Sequence, residues 1–267
     1  SLMFTLTNNL QEEGWSAEYT LPELEKNAGS YEIVIPIRFQ HKQTYERFTA
    51  NVPYRYIIKK QTLTFSINNQ ERLYGDDNPP FTYVISGFVG NDDEKSIKEF
   101  PNIFCSASKT SGIGEYQIIG NGGQSLNYDI AFDNGVLTIK KAKLSISVID
   151  ETRVYGASNP QFNLNFVGLK NGEQFPKWAK SPIYYTEATI ESNVGAYEVT
   201  VACEPHNYDI TSNENGILTI TKAPLTLNAI PATREYYEPN PQFNFTLNGL
   251  RNNDTKNCLS KQPVFEC

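Results

Sequence analysis

The chain has 267 residues, 16 of them Tyr and 15 Phe against a single Met, with a hydrophobic fraction of 39% and a net charge of −7. The length suits about three modules, each able to bury its own core, and the aromatic and β-branched content favours strands over a helix-rich interior. The acidic balance excludes a nucleic-acid backbone or an anionic membrane as the main partner, because both need clustered Lys and Arg, and no apolar run reaches the roughly 18 residues of a membrane span.

The first 59 residues read as a divergent or truncated repeat: "NAGSYEIVIPI" (27–37) is an alternating strand behind an Ala-Gly-x-Tyr opening, and "FTANVPYRYIIKK" ends on Lys60. Three further modules follow, at 60–141, 142–222 and 223–267, the last stopping about halfway through the pattern. Each opens on an alternating strand ("TLTFSI", "KLSISVI", "PLTLNAI") that gives one face to a core. A corner then recurs as "RLYGDDNPPF", "RVYGASNPQF" and "REYYEPNPQF". Its signature is Arg72, Tyr74, Gly75, Asn78 and Pro79; then Arg153, Tyr155, Gly156, Asn159 and Pro160; then Arg234, Tyr236, Asn240 and Pro241, with Tyr237 where Gly is expected. Equivalent residues stand 81 apart. Gly permits positive φ, Asn bonds to nearby backbone and Pro fixes its own φ, so the string is turn chemistry leading to a second strand closed by Gly87, Gly168 or Gly249.

A polar connection comes next. Ile97 and Phe100, and then Phe175 and Trp178, lie three apart, which predicts one short helix resting on the sheet. A third strand follows, and Tyr116 and Tyr197 then open a fourth in Gly-x-Tyr strings. The strings "NYDIAFDNGVLTIKKA" and "NYDITSNENGILTITKA" read as a hairpin turning at Asn134-Gly135 and Asn215-Gly216. Modules join with zero to two linking residues, which predicts an extended, stiff array. The incomplete last module leaves sheet edges to be exposed or paired with a neighbouring chain, so self-association through it is an expectation.

The pattern of strand, Tyr-Gly-x-x-Asn-Pro corner, Gly-closed strand, "VG-x-Y" and "NY-x-I…NG-x-LTI-x-KA" resembles the MBG domain of the Tyr-Gly-x type, over 60–222 in full and 223–267 in part. The resemblance implies a bacterial secreted or surface-anchored protein, an extracellular or cell-surface location, and a stalk, spacer or adhesive role. Residues 1–59 resemble a related Ig-like or MBG-like repeat. For the fold, the span from Phe88 to Gly114 holds room for one helical turn and one clear strand, fewer strands than an immunoglobulin sandwich requires. The expectation is mainly β: an antiparallel sheet with a short helix on one face, a grasp-like α+β module. An Ig-like β-sandwich is the alternative, supported by Gly-x-Tyr resembling a tyrosine corner.

No constellation of nucleophile, base and orienting group is present. His41 and His206 sit in different modules at non-equivalent places, and no Cys-x-x-Cys, phosphate loop or metal-helix motif occurs. The expectation is no enzyme, no cofactor and no metal. Acidic loops at Asp76-Asp77, Asp92-Asp93-Glu94, Asp129 and Asp133 read as solvated, since the corner acids are not repeated in later copies as a calcium ligand set would be. The recurring Arg beside Tyr reads as a shared structural job, the Arg packing on an aromatic ring or capping a carbonyl. Trp15 and Trp178 read as packing rather than sugar platforms. Cys258 and Cys267 share a module and stand either as a bridge or as small apolar fillers. The leading function is a non-catalytic stalk or spacer in adhesion. The alternatives are a module recognising a host protein or glycan through a variable loop (88–101 against 169–182), and an accessory region of a secreted enzyme.

Overall fold

A computed structural model describes residues 13–266. Two compact units are present. The first runs up to Glu71 and adds Pro79–Ala107 and Glu115–Thr138; the second combines Arg72–Asn78, Ser108–Gly114 and the chain from Ile139 onward.

The first unit begins with an antiparallel sheet of β1 (Trp15–Tyr19), β2 (Gly29–His41) and β3 (Arg47–Ile58) in that spatial order. The β2–β3 pairing runs unbroken from Gly29↔Ile58 to Gln40↔Arg47. Alternation decides its faces: Ile35, Ile37 and Phe39 are buried against Trp15, Ala17, Ala50 and Val52, while Val34 and Arg38 face outward. Each such burial stabilises by about 1.5–3 kcal/mol. The connection is held by the His41 imidazole, whose Nδ1 accepts from the backbone N–H groups of Gln43 and Thr44.

The first full repeat supplies β4 (Gln61–Ile67), β5 (Gln70–Leu73), β6 (Tyr83–Ser86), β7 (Ile97–Glu99), β8 (Asn102–Cys105), β9 (Gly114–Asn121), β10 (Gln124–Ser125), β11 (Tyr128–Asp133) and β12 (Gly135–Lys140). They form a three-stranded sheet in the order β11-β4-β6, a four-stranded sheet in the order β5-β12-β9-β8, and the small pair β10-β7. Leu63 and Phe65 of β4 are buried with Ile97 and Tyr128, and Tyr83, Ile85, Phe88, Ile130 and Phe132 pack around them.

The second repeat lies wholly in the second unit, as β13 (Ala142–Val148), β14 (Glu151–Val154), β15 (Leu164–Val167), β16 (Trp178–Tyr185), β17 (Gly195–Pro205), β18 (Tyr208–Glu214) and β19 (Gly216–Thr221). Its sheets, β15-β13-β18 and β14-β19-β17-β16, repeat the arrangement of the first. Leu144, Ile146 and Val148 from one sheet and Val199, Leu218 and Ile220 from the other are buried. The third repeat contributes β20 (Thr226–Ala229) and β21 (Phe245–Asn248), paired antiparallel.

Three expectations are corrected. Among the described residues no repeat carries a helix on its face: in the first full repeat, the predicted segment is a single 3-10 turn at Glu94–Ser96, capped by Asp93, after which Ile97 enters β7; in the second, Trp178 begins β16 and Phe175 is exposed. Pro101 and Pro176 prevent either run from continuing as a helix. The Asn-Gly strings do not turn hairpins, because β11 and β12, like β18 and β19, belong to different sheets. There the glycine serves close approach: a Cβ on Gly135 would lie 2.8 Å from the Asn68 carbonyl oxygen, and one on Gly216 2.9 Å from that of Val148. The chain passes from sheet to sheet at this point. Finally, a repeat is not one antiparallel sheet. Seven strands divide three and four in the second repeat, the layout of the sandwich alternative, and β13/β18 and β14/β19 pair in parallel.

Candidate functional site

The corner string makes a turn of fixed geometry. Asp76 N–H donates to the Leu73 carbonyl at 3.2 Å, Ala157 to Val154 at 3.1 Å and Glu238 to Glu235 at 3.2 Å. The third turn residue has positive φ in all three copies, 81° at Gly75, 74° at Gly156 and 73° at Tyr237, the value a type II turn requires there.

Behind the turn lies a buried arginine. Arg72 and Arg153, 7% and 6% exposed, each use the whole guanidinium fork. Arg153 Nε donates to Asn159 Oδ1 at 2.8 Å, Nη1 to the Val154 carbonyl at 3.3 Å and Nη2 to the Thr189 carbonyl at 2.5 Å. Arg72 repeats this with Asn78, Leu73 and Ser108 at 2.7, 3.1 and 2.6 Å. Thus Arg and Asn of the signature meet, and the Arg ties the turn to a loop 36 residues downstream. Arg234 is exposed and donates to the Glu238 carbonyl. Pro79, Pro160 and Pro241 follow as half-buried residues leading to β6, β15 and β21, while Asn240 is exposed. Gly87, Gly168 and Gly249 take φ near 105° immediately after those strands.

In front of the turn, the first two corners meet the next repeat. Tyr74 is buried and donates its hydroxyl to one carboxylate oxygen of Glu173, and the Tyr208 hydroxyl donates to the other at 2.5 Å. The two rings meet edge to face at 5.4 Å, and Tyr208 Oη also accepts from the Lys170 backbone N–H at 2.9 Å. Burial, reinforced by the bond to Glu173, raises both hydroxyl pKa values above the ordinary 10. Any side chain on Gly75 would overlap Lys170, whose Nζ reaches Asp76 at 3.2 Å. The next joint repeats the fit: a Cβ on Gly156 would come within 2.5 Å of Arg251.

The other half of the joint is the Asn-Tyr pair opening β11 and β18. Asn207 Oδ1 accepts from Ile113 N–H at 3.4 Å, and its backbone carbonyl accepts from Ala142 N–H at 3.0 Å. Asn127 does the same for Ala28 N–H at 2.8 Å and Gln61 N–H at 2.9 Å. Tyr128 places its hydroxyl 2.6 Å from Asp92, an interaction that raises its pKa, and accepts from Val89 N–H at 3.1 Å. Asp92 is an exposed loop acid that also accepts this bond. Asp92, Glu173 and Asp254 recur 81 residues apart, the signal in the sequence that would have revealed them.

The remaining candidates lie apart from this joint. Tyr197 donates to the Asn193 carbonyl at 3.0 Å, as Tyr31 does to that of Asn27, and Tyr116 holds the equivalent half-buried place on β9. Trp15 packs edge-on against His41 and Phe48, and Trp178 lies 6.1 Å from the Phe166 ring. His206 donates its backbone N–H to Lys177. Of the loop acids, Asp76 pairs with Lys170, Asp77 with Lys109 and Asp129 with Lys60, Asp93 caps its turn, and Asp133 accepts from Ser66. Among the described residues no three His, Cys, Asp or Glu side chains converge as a metal site, and no helix is long and apolar enough to cross a membrane. Cys267 lies outside the described residues, and with it the question of a bridge to Cys258.

A comparison with curated proteins finds no match to the chain. The MBG domain (YGX type) family matches twice in tandem, at residues 63–138 and 144–219. These segments hold both complete corners, both Asn-Tyr pairs and both joint acids, and cover more than half of the sequence; the chain belongs to the MBG domain (YGX type) family.

Proposed function

We propose that this chain is a non-catalytic spacer segment of a bacterial secreted or cell-surface protein, serving adhesion by holding a distal part away from the cell. The observation that carries the reading is the joint. Tyr74 and Gly75 of one repeat are seated on Glu173 and Lys170 of the next, and Gly156 is seated on Arg251 in the same way. Arg and Asn of the signature brace the turn within their own repeat, and Tyr74, Gly75 and Gly156 are spent on seating neighbour on neighbour, which is the chemistry a spacer needs. Minimal linkers add to this, since β12 ends at Lys140 and β13 begins at Ala142.

Pulsed electron-spin distance measurements test the reading. With native cysteines replaced and one label each on exposed faces of the second and third repeats, a single narrow distance distribution is expected, and Gly156→Asp should broaden it. A broad distribution in the parent protein would overturn the spacer.

A further inference from the structure

Five Asn-Gly pairs occur in the chain, and the fold holds them differently. In Asn134-Gly135 and Asn215-Gly216 the glycine is buried at the crossing between sheets, with a neighbouring carbonyl against it. Gly249 lies against the Pro224 carbonyl, and Asn121 is held at the end of β9 opposite Asn102. Asn171-Gly172 differs from all of these. Both residues are exposed, and a Cβ on Gly172 would meet open space. They form the central pair of a turn from Lys170 to Glu173, with φ of 54° and 72°, closed by the Glu173 N–H on the Lys170 carbonyl at 3.0 Å. That bond leaves the Gly172 N–H without a main-chain acceptor among the described residues.

This turn belongs to the joint. Asn171 Nδ2 donates to the Lys109 carbonyl of the preceding repeat at 3.5 Å, and the Asn171 side chain lies beside the Tyr74 hydroxyl, whose pKa it lowers. The next joint has the same turn from Arg251 to Asp254, with φ of 48° at Asn252 and 62° at Asn253, and Asn252 Nδ2 donates to the Ile190 carbonyl at 2.9 Å. An equivalent asparagine bond thus crosses both joints, but only in the earlier one does glycine follow the donor.

We propose that Asn171 is a site of spontaneous deamidation through which this joint ages. The Gly172 main-chain nitrogen attacks Asn171 Cγ, the Cγ–Nδ2 bond breaks, and ammonia leaves with the proton from Gly172, giving a cyclic imide. Water then opens the imide at either carbonyl and leaves aspartate or isoaspartate. Glycine favours the attack because no side chain shields its nitrogen and its backbone rotates freely, whereas Asn253 places a Cβ there in the next joint. Ring closure requires Asn171 to leave the turn, so a seated joint slows the step and each opening admits it. The product does not restore the contact. A carboxylate cannot donate to the Lys109 carbonyl, and it adds a negative charge beside Glu173, while the Lys109 and Lys170 ammonium groups are held by Asp77 and Asp76. Isoaspartate also adds a methylene to the main chain of the turn that presents Glu173 to Tyr74 and Tyr208. This chemistry stands on the turn itself and is independent of the spacer reading.

The test incubates the folded 267-residue chain in mildly alkaline buffer and follows each Asn-Gly pair by peptide mass mapping, with enzymatic isoaspartate labelling as a second readout. Asn171 should convert several-fold faster than Asn134, Asn215 or Asn252. Gly172→Asn, the pairing found in the next joint, should bring it to the Asn252 rate, and Tyr74→Phe, which removes one bond to Glu173, should accelerate it. Asn171→Asp should raise amide exchange across 108–114 by about fivefold, the fold-change of one hydrogen bond's net worth. Conversion no faster than at the buried pairs, or unaffected by Gly172→Asn, would overturn the site. A rate unchanged by Tyr74→Phe would overturn its dependence on opening, and unchanged exchange in Asn171→Asp its effect on the joint.

Discussion

Removing the buried guanidinium of Arg153 should be among the most damaging single changes in the second repeat. Arg153→Ala leaves the Thr189 carbonyl and Asn159 Oδ1 without their donor inside a pocket where the arginine is 6% exposed. An orphaned buried acceptor costs about 1–3 kcal/mol, so two of them and the lost packing place the loss near 3–5 kcal/mol. Arg153→Lys keeps the charge but not the fork, and reaches at most one of the two acceptors, so it should recover less than half. Arg234, exposed with one bond to the Glu238 carbonyl, is the internal control, and its alanine variant should change stability by less than about 0.5 kcal/mol. Because an array does not unfold as one two-state body, the assay must report on one repeat. Trp178 sits in the second repeat, and a Trp15→Phe background makes its emission the only tryptophan signal. With a urea dependence of about 1–3 kcal/mol/M, Arg153→Ala should lower that midpoint by at least about 1 M. A shift below about 0.5 M would refute the view that the fork holds corner to loop.

Further outcomes follow from the same geometry. Gly75→Ala puts a Cβ into Lys170 at a φ of 81° and should cost about 1–3 kcal/mol, seen as faster protease cleavage within 72–78. Gly135→Ala should destabilise the first repeat by a comparable amount, read by hydrogen exchange in β11 and β12, because its Cβ would meet the Asn68 carbonyl at 2.8 Å. Tyr74 and Tyr208 have hydroxyl pKa values raised above 10, so the folded joint between the first and second full repeats keeps protons that the unfolded chain releases. This contribution is complete below pH 10 and is lost as pH rises beyond it; the Trp178 urea midpoint should fall from pH 9 to 11, and less so in Tyr208→Phe.

The repeat, its period and its strand-rich character are legible in the sequence because identical turn chemistry recurs at fixed spacing. The sheet assignment of the last two strands is not. Two alternating runs about an Asn-Gly look the same whether the chain doubles back or crosses to another sheet, and the glycine is required in either case. The helix expectation fails on a similar degeneracy, since Ile97 and Phe100 three apart suit a helical face as well as an irregular run that buries Ile97 and leaves Phe100 out. In the joint, Arg72 and Asn78 meet six residues apart, but the partners of Tyr74 lie 99 and more residues away. Local reading sees a tyrosine beside a turn; only the recurrence of Asp92, Glu173 and Asp254 points across the joint.

The two complete repeats each carry a socket at one end and its matching plug at the other: the Tyr-Gly turn receives, and the acid-bearing loop is received. Such polarity gives the array a grammar in which whole 81-residue words can be added or deleted by recombination without any new interface having to evolve. The third corner departs from that grammar. Tyr237 holds the left-handed backbone of the socket at φ 73° yet fills its mouth with a side chain, and it stands 85% exposed beside Tyr236. A side chain at this place does not reproduce the close approach that Gly75 makes to Lys170.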